Sequence, residues 1–262
     1  MKLRLDQLLV TRGFFESRAR ASAAIMAGEV FLGVGRDRAA KPAQMVADDA
    51  IVEVDAGNPY VSRGGVKLAN ALDHFQIDPT GQKAADIGAS TGGFTDCLLQ
   101  RGAAHVTAVD VAYGELAWKL RSDPRVTVIE RCNARGLTSE MLPYAPQLIV
   151  IDVSFISLTK VLPAVLACAA ATRFDCLAMV KPQFEVGRER LGKGGVVRDA
   201  AHRRQALVAV AQAGLASGVA FGGFASSRLP GPKGNLETFV WLREAARPGA
   251  TDLAAAAYEV DP

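Results

Sequence analysis

The 262-residue chain has no long hydrophobic run, no paired cysteines and no large excess of either charge. Its longest apolar stretch, residues 161–171, is short for a membrane span and contains Pro163. The opening segment MKLRLDQLLV lacks the apolar core of a secretory signal. Cys97, Cys132, Cys168 and Cys176 form no C-x-x-C pair and lie in apolar stretches. That pattern argues against a metal site or a disulfide framework and for buried, reduced thiols. These absences point to a soluble, cytoplasmic protein with no metal and no membrane partner. With 50% hydrophobic and 22% charged residues, the chain has ample material for a packed core.

A net charge of +3 is too small by its sum to prove a nucleic-acid partner, so its distribution matters more. Residues 1–41 carry eight Lys or Arg against four acids, and residues 42–55 carry four acids and no base. A small unit with charge segregated in this way can present one basic face. Its pattern is helical at Leu5, Leu8 and Leu9 up to Gly13, then a second helix capped by Ser17 and ended by Gly28. Residues 30–32 and 51–54 read as strands joined through a turn at 35–37. The loop chemistry of Asp55-Ala-Gly-Asn-Pro59 marks a boundary, giving a small α+β domain over 1–59.

Beyond it, strands and helices alternate. Strands are expected at 84–87, 106–109, 126–129, 148–151, 177–180, 219–224 and 238–242, with helices near 66–75, 93–101, 113–120, 158–170 and 201–217. Continuous apolar strands separated by helices predict an α/β, Rossmann-like, seven-stranded and mostly parallel sheet over 60–247. The last two strands, with only a loop between them, should pair antiparallel at one edge. Residues 248–262 read as a tail containing a frayed Ala-rich helix.

The segment ADIGASTGGFTD, residues 85–96, lies where the first of these strands hands over to a helix. Gly88, Gly92 and Gly93 allow a sharp turn and close approach of a ligand to the backbone. Asp110, about twenty residues on, is placed to accept from ribose hydroxyls at the end of the next strand. A nicotinamide dinucleotide site uses similar geometry, but its G-x-G-x-x-G spacing is absent. Asp86 before the first glycine suits the cationic methionine end of S-adenosylmethionine better than a pyrophosphate, which it would repel. The candidate cofactor set is therefore Asp86, Gly88, Ser90, Thr91, Gly92, Gly93, Phe94, Asp110, Asn133 and Asp152.

Four further residues stand where an open α/β sheet directs groups toward its crevice: Lys67, Asp152, Lys181 and Glu237. Two lysines alternating with two carboxylates fit the activation of a hydroxyl. A partly buried lysine can accept its proton, a second ammonium stabilises the developing alkoxide, and the rest is positioning of the reactants. Lys181 is the candidate nearest the hydroxyl, with Asp152 orienting it.

The stretches SRGGVKL, DIGASTGGFTD, VDVAYGELAWKLR, ERCNARGL, IDVSFISL, VKPQFEVGR, GGVVRD and LPGPKGN resemble those of the TlyA family, bacterial 2′-O-methyltransferases of ribosomal RNA. The N-terminal LDQLLVTRGFFESRARASAAIMAGEVFLG resembles the S4-like RNA-binding module. The resemblance implies an FtsJ-like class I methyltransferase fold and a Lys-Asp-Lys-Glu tetrad on Lys67, Asp152, Lys181 and Glu237. It also implies a cytidine ribose of large-subunit rRNA as target, with one in the small subunit for longer members. The tail after Arg247 does not look like the well-formed terminal helix of those members.

On that reading Arg4, Arg12, Arg18, Arg20, Arg36 and Lys41 supply phosphate contacts, as do Arg63, Arg188, Arg190 and Lys193 near the catalytic end, with Arg198, Arg203 and Arg204 beside them. Phe155 is a candidate for stacking on a base or for core packing. A monomer is the default. The rival readings are a methyltransferase acting on a small molecule or protein, a non-enzymatic RNA-binding factor, and a pore-forming haemolysin.

Overall fold

The computed structural model describes residues 2–35, 37–54 and 58–261, which fall into two compact units, Met1–Pro59 and Tyr60–Pro262. Arg36 and most of the expected boundary loop lie outside the described residues.

The first unit comprises β1 (Lys2–Arg4), α1 (Leu5–Thr11), α2 (Arg18–Ala27), β2 (Val30–Leu32), β3 (Asp37–Arg38), β4 (Met45–Ala47) and β5 (Val52–Val54). Ser17 accepts a hydrogen bond from the Arg20 amide, and Gly28 closes α2 in the left-handed conformation. Strands β3, β2 and β5 form one antiparallel sheet, and β1 pairs antiparallel with β4. The β1–β4 pair, two strands of three residues each, went unread in the sequence. Leu5, Leu8, Leu9, Ala21, Ile25 and Val30 make the core of this unit.

The second unit runs α3 (Arg63–Phe75), β6 (Lys83–Ile87), α4 (Gly93–Gln100), β7 (His105–Val109), α5 (Trp118–Arg121), β8 (Val126–Ile129), β9 (Leu148–Ile151), α6 (Leu162–Leu166), β10 (Asp175–Val180), α7 (Pro182–Glu185), α8 (Ala200–Ala216), β11 (Val219–Ser226), β12 (Thr238–Glu244) and α9 (Leu253–Val260). Its seven-stranded sheet has the order β11-β12-β10-β9-β6-β7-β8. The five strands from β10 to β8 are parallel, and β12 runs antiparallel between β10 and the edge strand β11. Side chains of one strand alternate between two cores. Leu148 and Val150 join α3 and α4 on one face, while Ile149 and Ile151 join α6 and α8 on the other. Chain direction across the sheet reverses between β6 and β9, which opens a crevice beyond their carboxyl ends.

Two expected helices are shorter than their patterns suggested. Of 113–120 only the turn of α5 forms, because Gly114 takes a φ of +78° and the preceding loop is held by Asp110 and Glu130. The stretch 158–170 splits into a 3₁₀ turn at Leu158–Lys160 and α6, in whose first turn Pro163 sits.

The tail also departs from expectation: it is an ordered, docked helix. Asp252 caps α9 by accepting from the Ala255 amide at 2.9 Å, Ala257 is fully buried, and Leu253, Ala256 and Val260 pack on the core. Arg203 of α8 makes a two-pronged ion pair with Asp261, both contacts at 2.6 Å, and the Arg204 guanidinium lies over the Tyr258 ring. These tertiary partners lie about fifty residues or more away in the chain, so the tail's own composition did not disclose them. Removal of residues 248–262 should forfeit apolar burial worth about 3 kcal/mol and lower the melting temperature by roughly 5–10 °C. An unchanged melting curve for the truncated chain would contradict this packing.

Candidate active site

At the carboxyl end of β6 the backbone turns through Gly88, whose φ is +86°. A Cβ there would stand 2.5 Å from the Asp152 carbonyl oxygen at the end of β9. Only glycine lets the two strand ends approach this closely. Ser90 takes a φ of +47° and its amide donates to Asp110 Oδ2 at 2.7 Å, while Asp110 Oδ1 accepts from the Ala112 amide at 2.8 Å. Asp110 is thereby locked at the rim of a cavity of about 530 Å³, which Gly88, Ser90, Asn133, Asp152 and Phe155 also line. Asn133 is in part used locally, since its Oδ1 accepts from the Arg135 amide.

A second cavity of about 390 Å³ shares Gly88, Ser90, Asp152 and Ser154 with the first. Lys67, Lys181, Glu237, Thr91, Gly93 and Phe94 line it. All four residues of the expected tetrad thus face one space. Lys67, on α3, is ion-paired with Glu237, which precedes β12, and their side chains are 8% and 2% exposed. Lys181 lies 2.5 Å from Asp152 Oδ1 and donates to Ser154 Oγ at 2.8 Å. Each lysine is matched by its own carboxylate, so the four residues together carry no net charge. A third space of about 340 Å³ continues past Lys181 and Glu237 between Phe155, Phe184 and Pro232. Phe155 is 92% exposed with a φ of +64°, which removes the core-packing alternative.

The expected cofactor set is not wholly brought together. Gly92 turns toward Leu116 and Leu120 and does not line either cavity. Asp86 is fully buried and bonds to Thr95, away from both cavities. Among the basic residues, Arg12 donates to the carbonyls of Asp48 and Ala50, and Arg4 and Arg18 share the buried Asp6 carboxylate. Arg20 pairs with the exposed Glu16 at 3.5 Å. Arg63 donates to the Pro230 carbonyl, and Arg190 to Gln205. Arg188 and Lys193 lie in the exposed stretch before α8, and Lys41 lies exposed in the first unit. Arg203 and Arg204, expected beside the RNA-contacting set, are committed to α9. Sequence reasoning missed Glu185 and Ser154, for which spacing gave no signal.

Among the described residues, no helix is long and apolar enough to cross a membrane, and no cluster of His, Cys, Asp and Glu could hold a metal ion.

A family model described as FtsJ-like methyltransferase matches residues 60–244. The 16S/23S rRNA (cytidine-2′-O)-methyltransferase TlyA of Mycobacterium tuberculosis is 49% identical over 244 residues, covering 92% of this chain and 90% of the relative. Hemolysin A of Brachyspira hyodysenteriae is 40% identical over 236 residues, covering 90% of this chain and 97% of the relative. A solved structure of a hemolysin-named protein from Streptococcus thermophilus superposes with a TM-score of 0.75 at 37% identity, covering 98% of this chain and 95% of that one.

Asp86 offers a test of the site's packing. Its Oδ2 accepts from the Thr95 amide at 2.9 Å and the Thr95 hydroxyl at 2.7 Å, and its buried Oδ1 has no hydrogen-bond partner among the described residues. Burial pushes the carboxyl up to about 7, opposed by the Thr95 hydroxyl and reinforced by the charge of Asp152. The folded protein therefore keeps this proton over a range where the unfolded chain has lost it. Its contribution to stability is full below about pH 4 and is lost as pH rises through about 7. Asp86→Asn keeps an acceptor for Thr95 without the charge. Its melting temperature should gain on the wild type between about pH 5.5 and about pH 8; a constant difference over that range would rule the account out.

Proposed function

The chain belongs to the TlyA family, whose catalytic part is an FtsJ-like methyltransferase, and from that premise we propose that it methylates a ribose 2′-hydroxyl of ribosomal RNA. The target is a cytidine of 23S rRNA, and of 16S rRNA as well, since the Mycobacterium tuberculosis relative is named for both. The methyl donor is S-adenosylmethionine, which supplies an activated methyl on a sulfonium. The observation that carries the reading is the paired arrangement of Lys67 with Glu237 and Lys181 with Asp152, on a cavity that shares Gly88, Ser90, Asp152 and Ser154 with the one beneath the glycine loop.

The residues present suit such a donor. The cavity of about 530 Å³ has Asp110 fixed at its rim, where its remaining lone pairs can accept from a ribose diol. Gly88 leaves room where any Cβ would close the passage against Asp152. Lys181, held between Asp152 and Ser154, presents Nζ as the group that receives the proton of the target hydroxyl. Lys67, held by Glu237, supplies positive charge to the oxygen as it becomes an alkoxide. Asp152, at the junction of the two cavities, fixes the nucleophile side relative to the donor side, so in-line attack needs little further reorganisation.

RNA is gripped by phosphate contacts from Arg4, Arg12, Arg18, Arg20 and Lys41 of an S4-like N-terminal unit, and from Arg63, Arg188, Arg190 and Lys193 of the second. The exposed Phe155 offers a stacking face to an unstacked target base. The protein works as a monomer in the cytoplasm.

Lys181→Ala should reduce methyl transfer to ribosomal subunits by about 10²-fold or more, while rRNA affinity in a filter-binding assay changes little. Equal loss of binding and transfer would assign Lys181 to RNA contact instead. Mapping of ribose methyls on rRNA incubated with the wild-type protein names the nucleotide; if no methyl appears on either rRNA, the reading is wrong.

A further inference from the structure

Two segments carry the catalytic pair: the loop after β9, which begins with Asp152, and the segment after β10, which begins with Lys181. They are joined at three places. At the first, Lys181 is ion-paired with Asp152 and donates to Ser154 Oγ. At the second, the rings of Phe155 and Phe184 lie 5.3 Å apart between centroids. At the third, Glu185 Oε2 accepts from the Ser157 hydroxyl at 2.6 Å and Oε1 accepts from the Leu158 amide at 2.8 Å. Ser157 is itself fixed, accepting from the Thr159 amide at 3.1 Å and sharing a hydrogen bond with the Thr159 hydroxyl at 2.7 Å.

Nothing in the packing demands a carboxylate at this third place. Glu185 has no ion-pair partner among the described residues, and burial raises its carboxyl above the usual range, so the charge costs stability there. Its two bonds both cross to the other segment. Between the points held by Lys181 and Glu185 stands Phe155, exposed and left-handed at φ +64°. A bulky residue in that conformation is strained and persists only where the surroundings over-determine it. Fixing the chain on both sides of Phe155 does this.

We infer that Glu185 is a positioning residue, a latch that holds the Asp152–Phe155 loop against the Lys181 segment and so keeps the nucleophile-activating pair and the exposed ring in register. The inference rests on the methyltransferase reading for its effect on rate, but the latch itself is a conformational statement. Loss of the latch lets the loop relax from its strained form, and a displacement of about 1 Å at reacting groups is enough to cost up to about 10²-fold in rate.

The test compares the full-length wild type with Glu185→Leu, which fills the space without hydrogen bonds, and Glu185→Gln, which can still accept from Leu158 and bond Ser157. Glu185→Leu should melt no lower than the wild type, since it removes a half-buried charge, yet lose about tenfold in kcat on rRNA. Glu185→Gln should recover most of that loss. In hydrogen exchange read by mass spectrometry, residues 153–159 should exchange faster in Glu185→Leu than in the wild type and in Glu185→Gln. Unchanged exchange in all three overturns the latch, as does a kcat for Glu185→Leu equal to that of an active wild type, or kcat and melting temperature falling together. Faster exchange in Glu185→Leu with an inactive wild type would leave the latch standing and refute the methyltransferase reading instead.

Discussion

The molecule's chemistry depends on one close contact, the approach of the β6 end at Gly88 to the β9 end at Asp152. The Asp152 amide donates to the Ile87 carbonyl at 2.9 Å, continuing the ladder between the two strands to its last possible rung. Beyond that rung the chain leaves in opposite directions, because the sheet's order reverses between these strands. The glycine loop goes one way to build the larger cavity, and the Asp152 loop goes the other to meet Lys181. A side chain at position 88 would separate them. The two cavities share a wall because two strands share an end.

Around that junction, charge is balanced locally. Lys67 and Lys181 each keep a carboxylate at contact distance, so neither is an isolated buried cation with its large desolvation cost. The same pairing fixes where each ammonium points. Stability and function are served by one arrangement here, whereas Asp86 shows the opposite case. Its carboxyl is buried without a cation and remains tolerable chiefly because Thr95 supplies two donors and the proton is retained up to near neutrality.

Much of this was legible before any coordinates. Strands rich in Val, Ile and Leu, spaced by helical periods, predicted the seven-stranded sheet, and strand-end positions drew attention to Asp152 and Lys181. The grouping of Lys67 and Glu237 with them owed more to family resemblance, since α3 and the loop before β12 meet across 170 positions of sequence. Side-chain direction was not legible. Asp86 and Gly92 sit within the glycine-loop motif yet face inward, because which side of a turn a residue presents is decided by what packs behind it. Partnering was not legible either. Arg4, Arg12 and Arg18 were expected on phosphates, and their contacts within the fold, to a buried aspartate and two carbonyls, were not foreseen.

Arg203 ties two distant parts of the chain together. Besides its ion pair with Asp261, it donates to the Arg198 carbonyl at 2.7 Å, at the far end of the Gly-rich segment that follows Lys181. That segment is therefore moored to α9 as well as to the sheet, with Asn235 holding it at Gly195 and Val197 on the other side. Changes in α9 can shift the mooring of a catalytic-end loop while leaving every strand untouched. The placing of that segment thus depends on a helix outside the sheet, in a stretch whose composition gave no sign of it.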